Sequence, residues 1–197
     1  MVDDVETIEN VRQSILDAAS EMFVAEGYDN VSMRKIASKI GYTPTTIYLY
    51  FHDKADLLNQ ICERTFAQLT RNLLAISKLS VGPRERLRLG LHEYIQFGLQ
   101  HPNHYQIVFN TSESSGSVQC FEQSQGEAAF ETLRHSVSLC TVDGSIKKHD
   151  TELASQTLWA GIHGVTSILI TQKGFPFVEQ SKLIDSVVDT LIAGITS

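Results

Sequence analysis

Residues 32–50 read SMRKIASKIGYTPTTIYLY, and this stretch decides the fold of the first part of the chain. It opens on a serine that can cap a helix, and apolar residues then recur at helical spacing, namely Ile36, Ala37 and Ile40. Gly41 permits a sharp turn, because glycine reaches backbone conformations that strain other residues. Thr43 and Pro44 then supply an N-cap and a first helical position, so we expect a second short helix that reaches about Tyr50.

Longer helices are predicted on both sides of this stretch. The first covers residues 5–26 and ends at Gly27, and the fourth begins after the cap residue Asp53 and covers residues 54–79. Helical periodicity continues beyond Gly82, where it predicts five further helices, at residues 84–100, 103–110, 119–141, 151–171 and 178–195. Because alternating strand patterns are absent, the chain is predicted to be all-α with about nine helices.

Two domains are predicted. Residues 1–53 carry a helix, a short helix, a glycine turn and a second short helix, which is the order of a three-helix helix-turn-helix DNA-binding domain. Residues 54–197 form a larger helical domain, and the helix at residues 54–79 connects the two. Polar stretches at residues 111–117 and 142–150 are expected to be links between helices.

The charge of the chain is distributed unevenly. The whole sequence carries a formal charge of −7, which is unfavourable for a nucleic-acid-binding protein, but residues 31–54 carry +3. Phosphate contacts depend on local cations more than on the total charge. The sequence is therefore compatible with DNA binding through this one basic segment.

The second short helix presents small hydroxyls and phenols that suit contacts with phosphates and base edges, whereas Ile47 and Phe51 are expected to pack inward. Residues 18–57 resemble the N-terminal domain of the TetR family of bacterial repressors. The resemblance rests on spaced matches at Phe23, Gly27, Ser32, Ile36, Ala37, Gly41, Thr46, Ile47, Tyr48, Phe51, Lys54 and Leu57. It implies that the first short helix crosses the DNA backbone and that the second enters the major groove.

The resemblance also implies roles for individual residues. Base contacts are expected from Thr43, Pro44 and Thr45, and phosphate contacts from Thr46, Tyr48, Tyr50 and Lys54. Arg34 would reach a base or a phosphate from the first short helix. At Lys54 the ammonium and the backbone N–H groups of the helix start would together form an anion site. Tyr42 departs from the small aliphatic residue usual at its position, and Lys35 and Lys39 are expected to be mainly solvated.

The C-terminal part resembles a TetR subfamily marked by a Trp-x-x-x-His-Gly motif, here at residues 159–164, which implies a domain that binds a ligand and dimerises. Aromatic candidates for the wall of a ligand pocket are Tyr94, Phe97, Tyr105, Phe109, Phe121, Phe130, Trp159 and His163. The alternative is that these side chains only form core. The last two helices carry more apolar surface than a single core can bury, so part of this surface is expected to form a dimer interface. The candidate interface residues are Gly161, Gly164, Ile168, Leu183, Val187, Val188 and Leu191.

Several classes of protein are not expected. The three cysteines are far apart, which fits a reducing cytoplasm better than a disulfide framework. We expect no secretion signal and no membrane contact, and the longest apolar run, residues 158–170, is too short to span a bilayer. His101 and His104 have no neighbouring ligand to complete a metal site. With no phosphate loop and no nucleophile elbow either, neither an enzyme nor a cofactor or metal is expected.

These features lead to one main hypothesis and two alternatives. The main hypothesis is a cytoplasmic, homodimeric transcriptional repressor that binds a near-palindromic operator in double-stranded DNA and is released by a small hydrophobic or amphipathic effector. The first alternative is an activator, or a regulator that no ligand controls. The second is a helical scaffold or interaction protein, which predicts no salt-dependent binding of DNA.

Overall fold

The computed structural model describes residues 2–110, 125–146 and 150–196, and every regular element in these ranges is a helix. They contain nine α-helices: α1 (Val2–Glu26), α2 (Met33–Lys39), α3 (Pro44–Tyr48), α4 (Lys54–Ser77), α5 (Pro83–Gln100), α6 (Pro102–Asn110), α7 (Gln125–Val142), α8 (Thr151–Thr171) and α9 (Gln180–Thr196). One turn of 3₁₀ helix, Tyr28–Asn30, follows α1. The predicted all-α fold class is therefore confirmed.

The observed helices agree with the predicted ones except near some ends. α8 has the predicted bounds, whereas α3 ends at Tyr48 rather than at about Tyr50. α7 begins at Gln125, and the first residues of the helix predicted at 119–141 lie outside the described residues, as does the predicted link at 111–117. The 3₁₀ turn is absent from the prediction, because three residues are too few to show a period.

Side-chain caps set where the two short helices begin. The Ser32 hydroxyl accepts a hydrogen bond from the Lys35 amide at 3.3 Å, and the Thr43 hydroxyl accepts one from the Thr46 amide at 3.2 Å. Each cap satisfies a backbone N–H that has no partner within its own helix. The predicted caps of α2 and α3 are therefore confirmed.

A carboxylate caps α4. The Asp56 amide donates to Asp53 Oδ1 at 2.8 Å, and the Asp56 carboxylate accepts in turn from the His52 amide at 2.8 Å. The bond from the Asp56 amide is the main reason why the pKa of Asp53 lies below its usual range, and the His52 side chain adds to the effect. The predicted cap of α4 is confirmed as well.

Two turns of the first unit contain a glycine with a positive φ. Gly27 has a φ of 84° and ends α1, and its amide still donates to the Phe23 carbonyl at 3.1 Å. Gly41 has a φ of 74° and separates α2 from α3. A residue with a side chain would be strained at either position, so both glycines act as predicted.

The described residues form two compact units. The first unit comprises residues 2–65 and 103–110, so it contains α1, α2, α3, the beginning of α4 and nearly all of α6. The second unit comprises residues 66–102, 125–146 and 150–196, with the rest of α4, α5, α7, α8 and α9. The first unit thus takes in helical segments beyond residue 53, where the sequence placed the end of the DNA-binding domain.

The core of the first unit decides how α3 is held. Its largest fully buried side chains come from α1 to α4 and the α3–α4 link: Ile15, Leu16, Ile36, Ile47, Phe51, Leu57, Leu58 and Ile61. Ile47 is 0% exposed and Phe51 is 1% exposed, as the sequence predicted for the inward face of the second short helix. Burial of such side chains supplies about 1.5–3 kcal/mol each, so packing rather than helix propensity holds α3 in place.

Truncation of the α3 anchor is expected to destabilise the protein. Ile47→Ala should lower the free energy of unfolding by about 2–5 kcal/mol, because it removes buried methyl groups and leaves a cavity. The change is measured by denaturant unfolding followed by circular dichroism. Leu49→Ala is the matched control, since Leu49 is 79% exposed and its truncation should change the stability by less than about 0.5 kcal/mol. Equal effects of the two variants would contradict this view of α3.

Candidate nucleic-acid interface

The outer face of α3 carries exposed polar groups. Successive residues of an α-helix point about 100° apart, so the inward direction of Ile47 turns Thr45 and Tyr48 outward. Thr45 is exposed, and Tyr48 is 55% exposed. Neither side chain hydrogen-bonds to another described residue. The hydroxyl and the phenol are therefore available to an external partner such as a phosphate or a base edge.

Two further threonines of this face bond to each other. Thr43 Oγ1 lies 2.9 Å from Thr46 Oγ1, in addition to capping the helix. Thr43 is exposed, whereas Thr46 and Pro44 are half-buried at the start of α3. The structure therefore brings together Thr43, Pro44 and Thr45, which were predicted to face bases. The Thr43 hydroxyl, however, already caps α3 and contacts Thr46, so it has less capacity to bond to DNA.

The cations of α2 are not equivalent. Lys35 pairs with Glu26 at 2.8 Å, and Lys39 pairs with Glu21 at 2.7 Å, so both are neutralised by α1. Arg34 is exposed and forms no ion pair with any described residue. Arg34 is therefore the cation of α2 that no described carboxylate neutralises, and it is also the residue of α2 that the sequence predicts to contact DNA.

Lys54 is placed differently from the prediction. Its ammonium donates to the Tyr28 carbonyl at 2.7 Å and to the Val31 carbonyl at 3.0 Å, and it lies 4.1 Å from the centroid of the Tyr28 ring. Two of its three donors thus satisfy the carbonyls of the first residue of the 3₁₀ turn and of the residue that follows the turn. The expected anion site assumed a freely available ammonium, whereas the structure uses this group to hold the turn against the start of α4.

Two exposed residues beside α3 were left out of the sequence-based set. Leu49 follows α3 and is 79% exposed, and Tyr42 precedes it and is 43% exposed. The prediction left Leu49 out because it extended the helix to about Tyr50, which is half-buried, and so treated Leu49 as part of the helix interior. An exposed leucine next to a polar face is the signal that could have indicated a contact surface.

Several of the candidate pocket aromatics meet in the second unit. The Tyr94 hydroxyl lies 3.3 Å from His163 Nδ1, and the Trp159 ring packs 5.6 Å from the His163 ring and 6.1 Å from the Phe130 ring, measured between centroids. Burial lowers the pKa of His163, because a desolvated imidazolium is unfavourable. Tyr94 and His163 thus form a hydrogen-bonded cluster with two aromatic neighbours.

Three of the other aromatic candidates also make ring contacts within their own unit. Phe97 is buried in the second unit, with its ring centroid 4.8 Å from that of His101. Tyr105 and Phe109 belong to the first unit, where their ring centroids are 4.7 Å apart. Phe121 lies outside the described residues. The assignment of the eight aromatic residues to one pocket wall stays a prediction.

A cavity of about 370 Å³ lies in the second unit between α4, α5 and α7. Its walls include Leu74, Pro83, Ala128 and Leu139, and none of the seven aromatic candidates that the structure describes is among its lining residues. The sequence does not reveal this cavity, because its walls come from segments that are far apart along the chain and carry no shared motif.

The dimer candidates on α8 and α9 divide into two groups. Gly161 and Val188 pack within the chain: a Cβ added at Gly161 would lie 2.6 Å from Leu191 Cδ1, and Val188 is 0% exposed. Val188 is therefore covered by this chain, which corrects the prediction for that residue, whereas Gly161 is half-buried and stays a candidate for the dimer interface. Gly164 and Ile168 are exposed, whereas Leu183, Val187 and Leu191 are half-buried.

Two other kinds of site were searched for in the described parts of the chain. Among these helices, none combines the length and the apolar character that crossing a membrane requires. The described residues also contain no group of three or more histidine, cysteine, aspartate and glutamate side chains placed to hold a metal ion.

Comparison with known proteins identifies the family. Residues 15–61 match the sequence model of bacterial regulatory proteins of the tetR family, and residues 87–192 match that of the tetracyclin repressor-like C-terminal domain. The second match alone covers more than half of the chain. The chain belongs to the TetR family. The more specific resemblance to the Trp-x-x-x-His-Gly subfamily stays a prediction.

The relatives of this TetR-family chain are regulators. The fatty acid metabolism regulator protein of Bacillus subtilis is 27% identical over 186 residues, which cover 92% of this chain and 93% of that protein. The HTH-type transcriptional activator FasR of Mycolicibacterium smegmatis is 28% identical over 98 residues, which cover 50% of this chain and 45% of that protein. The crystal structure of the transcriptional regulator FadR from Bacillus subtilis in complex with stearoyl-CoA has a TM-score of 0.78 at 22% identity and covers 93% of this chain and 98% of that chain. The structural likeness shows the common fold. The protein is thus a DNA-binding transcriptional regulator and not an enzyme.

The role of Lys54 in the first unit is open to a direct test. Lys54→Met should lower the free energy of unfolding by about 1–3 kcal/mol, because the Tyr28 and Val31 carbonyls lose a charged donor. Lys39→Met is the matched control, since it removes only an exposed ion pair and should cost less than about 1 kcal/mol. Denaturant unfolding of both variants gives the comparison. A loss for Lys54→Met no larger than the control's would show that Lys54 has no structural role.

Proposed function

We propose that this TetR-family regulator is a cytoplasmic repressor that binds a near-palindromic operator as a homodimer and leaves it when a small amphipathic effector binds. The observation that carries the proposal is the exposed polar face of α3, anchored by the buried Ile47 and flanked by the unpaired Arg34. A rigidly held helix with hydroxyls on its outer face has the size and chemistry to read the major groove.

In this proposal each element of the helix-turn-helix has a separate task. α3 enters the major groove, with base contacts from Thr43, Pro44 and Thr45 and phosphate contacts from Thr46, Tyr48 and Tyr50. α2 crosses the backbone and presents Arg34 to a phosphate. Leu49 joins the set as an apolar partner for a thymine methyl group, because its side chain is 79% exposed. Lys54 is left out, since two of its donors are used within the chain.

The unpaired cation of α2 generates a test of the DNA contact. Arg34→Gln is expected to weaken operator binding and to reduce the slope of log K against log salt concentration by about 2, because each protomer of the dimer loses one phosphate contact. Fluorescence anisotropy at several salt concentrations measures both quantities, with an operator selected in vitro from random duplexes.

Lys35→Gln is the matched control for that experiment. It removes a neighbouring positive charge whose ammonium already bonds to Glu26 and to the Asn30 carbonyl. Its salt slope should therefore equal that of the unchanged protein. The contact assigned to Arg34 is wrong if both variants alter the slope equally or if neither does.

The homodimer is proposed from the outer face of α8. Exposed residues without charge follow one another there at helical spacing: Leu153, Thr157, Ala160, Gly164 and Ile168. Leu153 is 66% exposed and Ile168 is 42% exposed, although apolar stripes of this kind are usually covered. Leu183, Val187 and Leu191 of α9 supply half-buried apolar surface. Pairing about a twofold axis would place two copies of α3 at half-sites one helical repeat of DNA apart, about 34 Å, or a multiple of it.

A charge placed on this face should separate the protomers. Ile168→Glu is expected to give a monomer and to abolish tight operator binding at the same protein concentration, because a carboxylate would have to be buried in an apolar interface. Light scattering after size exclusion measures the mass. Ser138→Glu, at an exposed position on α7, introduces the same charge and should leave the dimer intact. A dimer that persists in Ile168→Glu rules out this face.

The effector is proposed to be an amphipath with a long acyl chain. The support comes from the full-length relative, a fatty acid metabolism regulator, and from the FadR structure that contains stearoyl-CoA. The second candidate function is transcriptional activation, which the similarity to the activator FasR over 98 residues favours. A reporter fused to the target promoter distinguishes the two, since deletion of a repressor raises expression and deletion of an activator lowers it.

A further inference from the structure

The two lysines of α2 lie one helical turn apart, and both pair with carboxylates of α1. Lys39 Nζ lies 2.7 Å from Glu21 Oε2, and Lys35 Nζ lies 2.8 Å from Glu26 Oε2. Residues four positions apart share one face of an α-helix, so the two lysines point to the same side of α2. Two ion pairs therefore join α1 to this side of α2.

Both ion pairs lie at the surface of the first unit. The four side chains are between 39% and 57% exposed. Exposed ion pairs of this kind contribute little to folding, because water and salt screen the attraction and two long side chains must be ordered. The fold of the first unit therefore does not depend on either pair, and their importance has to be sought in the charge that the surface presents.

The other cations of the first unit are also used within the chain, with one exception. Lys54 donates to two carbonyls, Arg64 pairs with a carboxylate of α1, and Arg12 donates to a side-chain amide of α4. No carboxylate of the described residues pairs with Arg34. The positive charge that the sequence concentrates in residues 31–54 is thus largely cancelled in the folded unit.

Glu21 and Glu26 offer their lysines the same kind of acceptor as a DNA phosphate does, namely a negatively charged oxygen. In the proposed binding mode α2 crosses the DNA backbone, and Arg34 is the neighbour of Lys35 in the chain. A lysine side chain is long and flexible, so an unpaired ammonium on α2 can swing toward a phosphate near Arg34. A phosphate can take such a lysine only in competition with the carboxylate that already holds it.

We propose that Glu21 and Glu26 are internal counter-charges that keep Lys39 and Lys35 from DNA phosphates and thereby limit the affinity for DNA of any sequence. Phosphate contacts carry no sequence information of their own, whereas contacts with base edges do. Each lysine withheld from the backbone makes binding depend more on the outer face of α3. Since α2 must lie against the DNA backbone for this, the inference rests on the proposed function.

The two pairs are not held equally. Lys35 Nζ also donates to the Asn30 carbonyl at 2.9 Å, whereas Glu21 is the only partner of the Lys39 ammonium among the described residues. Loss of the Glu21 charge would therefore release its lysine, and loss of the Glu26 charge would leave the other lysine partly held. The larger effect on DNA binding is expected from Glu21.

Binding of the full-length protein to a duplex of random sequence tests the proposal. Glu21→Gln should raise this affinity by about threefold or more at about 0.1 M salt, because one more cation can reach a phosphate. The slope of log K against log salt concentration should become steeper by about 1 for each protomer bound. Glu26→Gln should produce a smaller change of the same sign. Fluorescence anisotropy at several salt concentrations measures both quantities.

Two controls separate the release of a lysine from a simple change in net charge. Asp17 is exposed on α1, but its carboxylate accepts from Gln13 and pairs with no described cation, so Asp17→Asn should leave the slope unchanged. Glu21→Gln combined with Lys39→Gln should also have the slope of the unchanged protein, because the released cation is gone.

Three results would overturn the proposal, provided that circular dichroism shows the variants to be folded. They are an unchanged slope in Glu21→Gln, an equal gain in Asp17→Asn, and a gain that persists when Lys39 is also replaced. If Glu21→Gln does not fold, Glu26→Gln with and without Lys35→Gln gives the same comparison.

The Arg34→Gln variant shows whether this inference or the proposed binding mode has failed. If Arg34→Gln reduces the salt slope while Glu21→Gln leaves it unchanged, α2 contacts the backbone as proposed and the role assigned to Glu21 is wrong. If neither variant alters the slope, α2 does not lie against the backbone, and the binding mode and the inference are both wrong.

Discussion

The burial of Ile47 and Phe51 in the first unit is the contact on which the DNA-binding surface depends. α3 has only five residues, so it cannot be stable as an isolated helix. Packing of Ile47 against the core fixes its rotation about its own axis, and this rotation places Thr45 and Tyr48 on the outside. The caps and the Gly41 turn fix where α3 begins. The face of α3 that we propose to contact DNA is therefore held in position by apolar burial on the opposite face of the helix.

Ion pairing within the first unit limits the positive charge that the surface offers to DNA. Glu21 and Glu26 of α1 pair with the lysines of α2, and the carbonyls of Tyr28 and Val31 accept hydrogen bonds from the Lys54 ammonium. Within the described parts of the chain, no carboxylate pairs with Arg34 of α2. Because the chain also has a net charge of −7, we expect its nonspecific electrostatic attraction to DNA to be weak. Binding to the operator should then depend more on shape and on hydrogen bonds.

The second unit contains two kinds of polar side chain: some hydrogen-bond to another side chain of the unit, and others have a buried atom without a hydrogen-bond partner among the described residues. Tyr94 and His163 are close enough to satisfy each other amid aromatic rings, so they behave as a core cluster. Arg86 and Thr70 retain buried atoms without partners beside a cavity.

The sequence by itself determined the helical class, the order of the helices that the structure describes, the side-chain caps of α2, α3 and α4, the glycines at the turns after α1 and α2, and the inward direction of Ile47 and Phe51. These features follow from contacts between residues a few positions apart, which periodicity and capping preferences report directly. Only the tertiary structure decided that Lys54 holds a turn, that Gly161 accommodates Leu191 and that Arg86 and Thr70 meet at one cavity. The partners in those contacts are separated by many residues, and nothing in the local pattern of a helix says which distant segment will cover it.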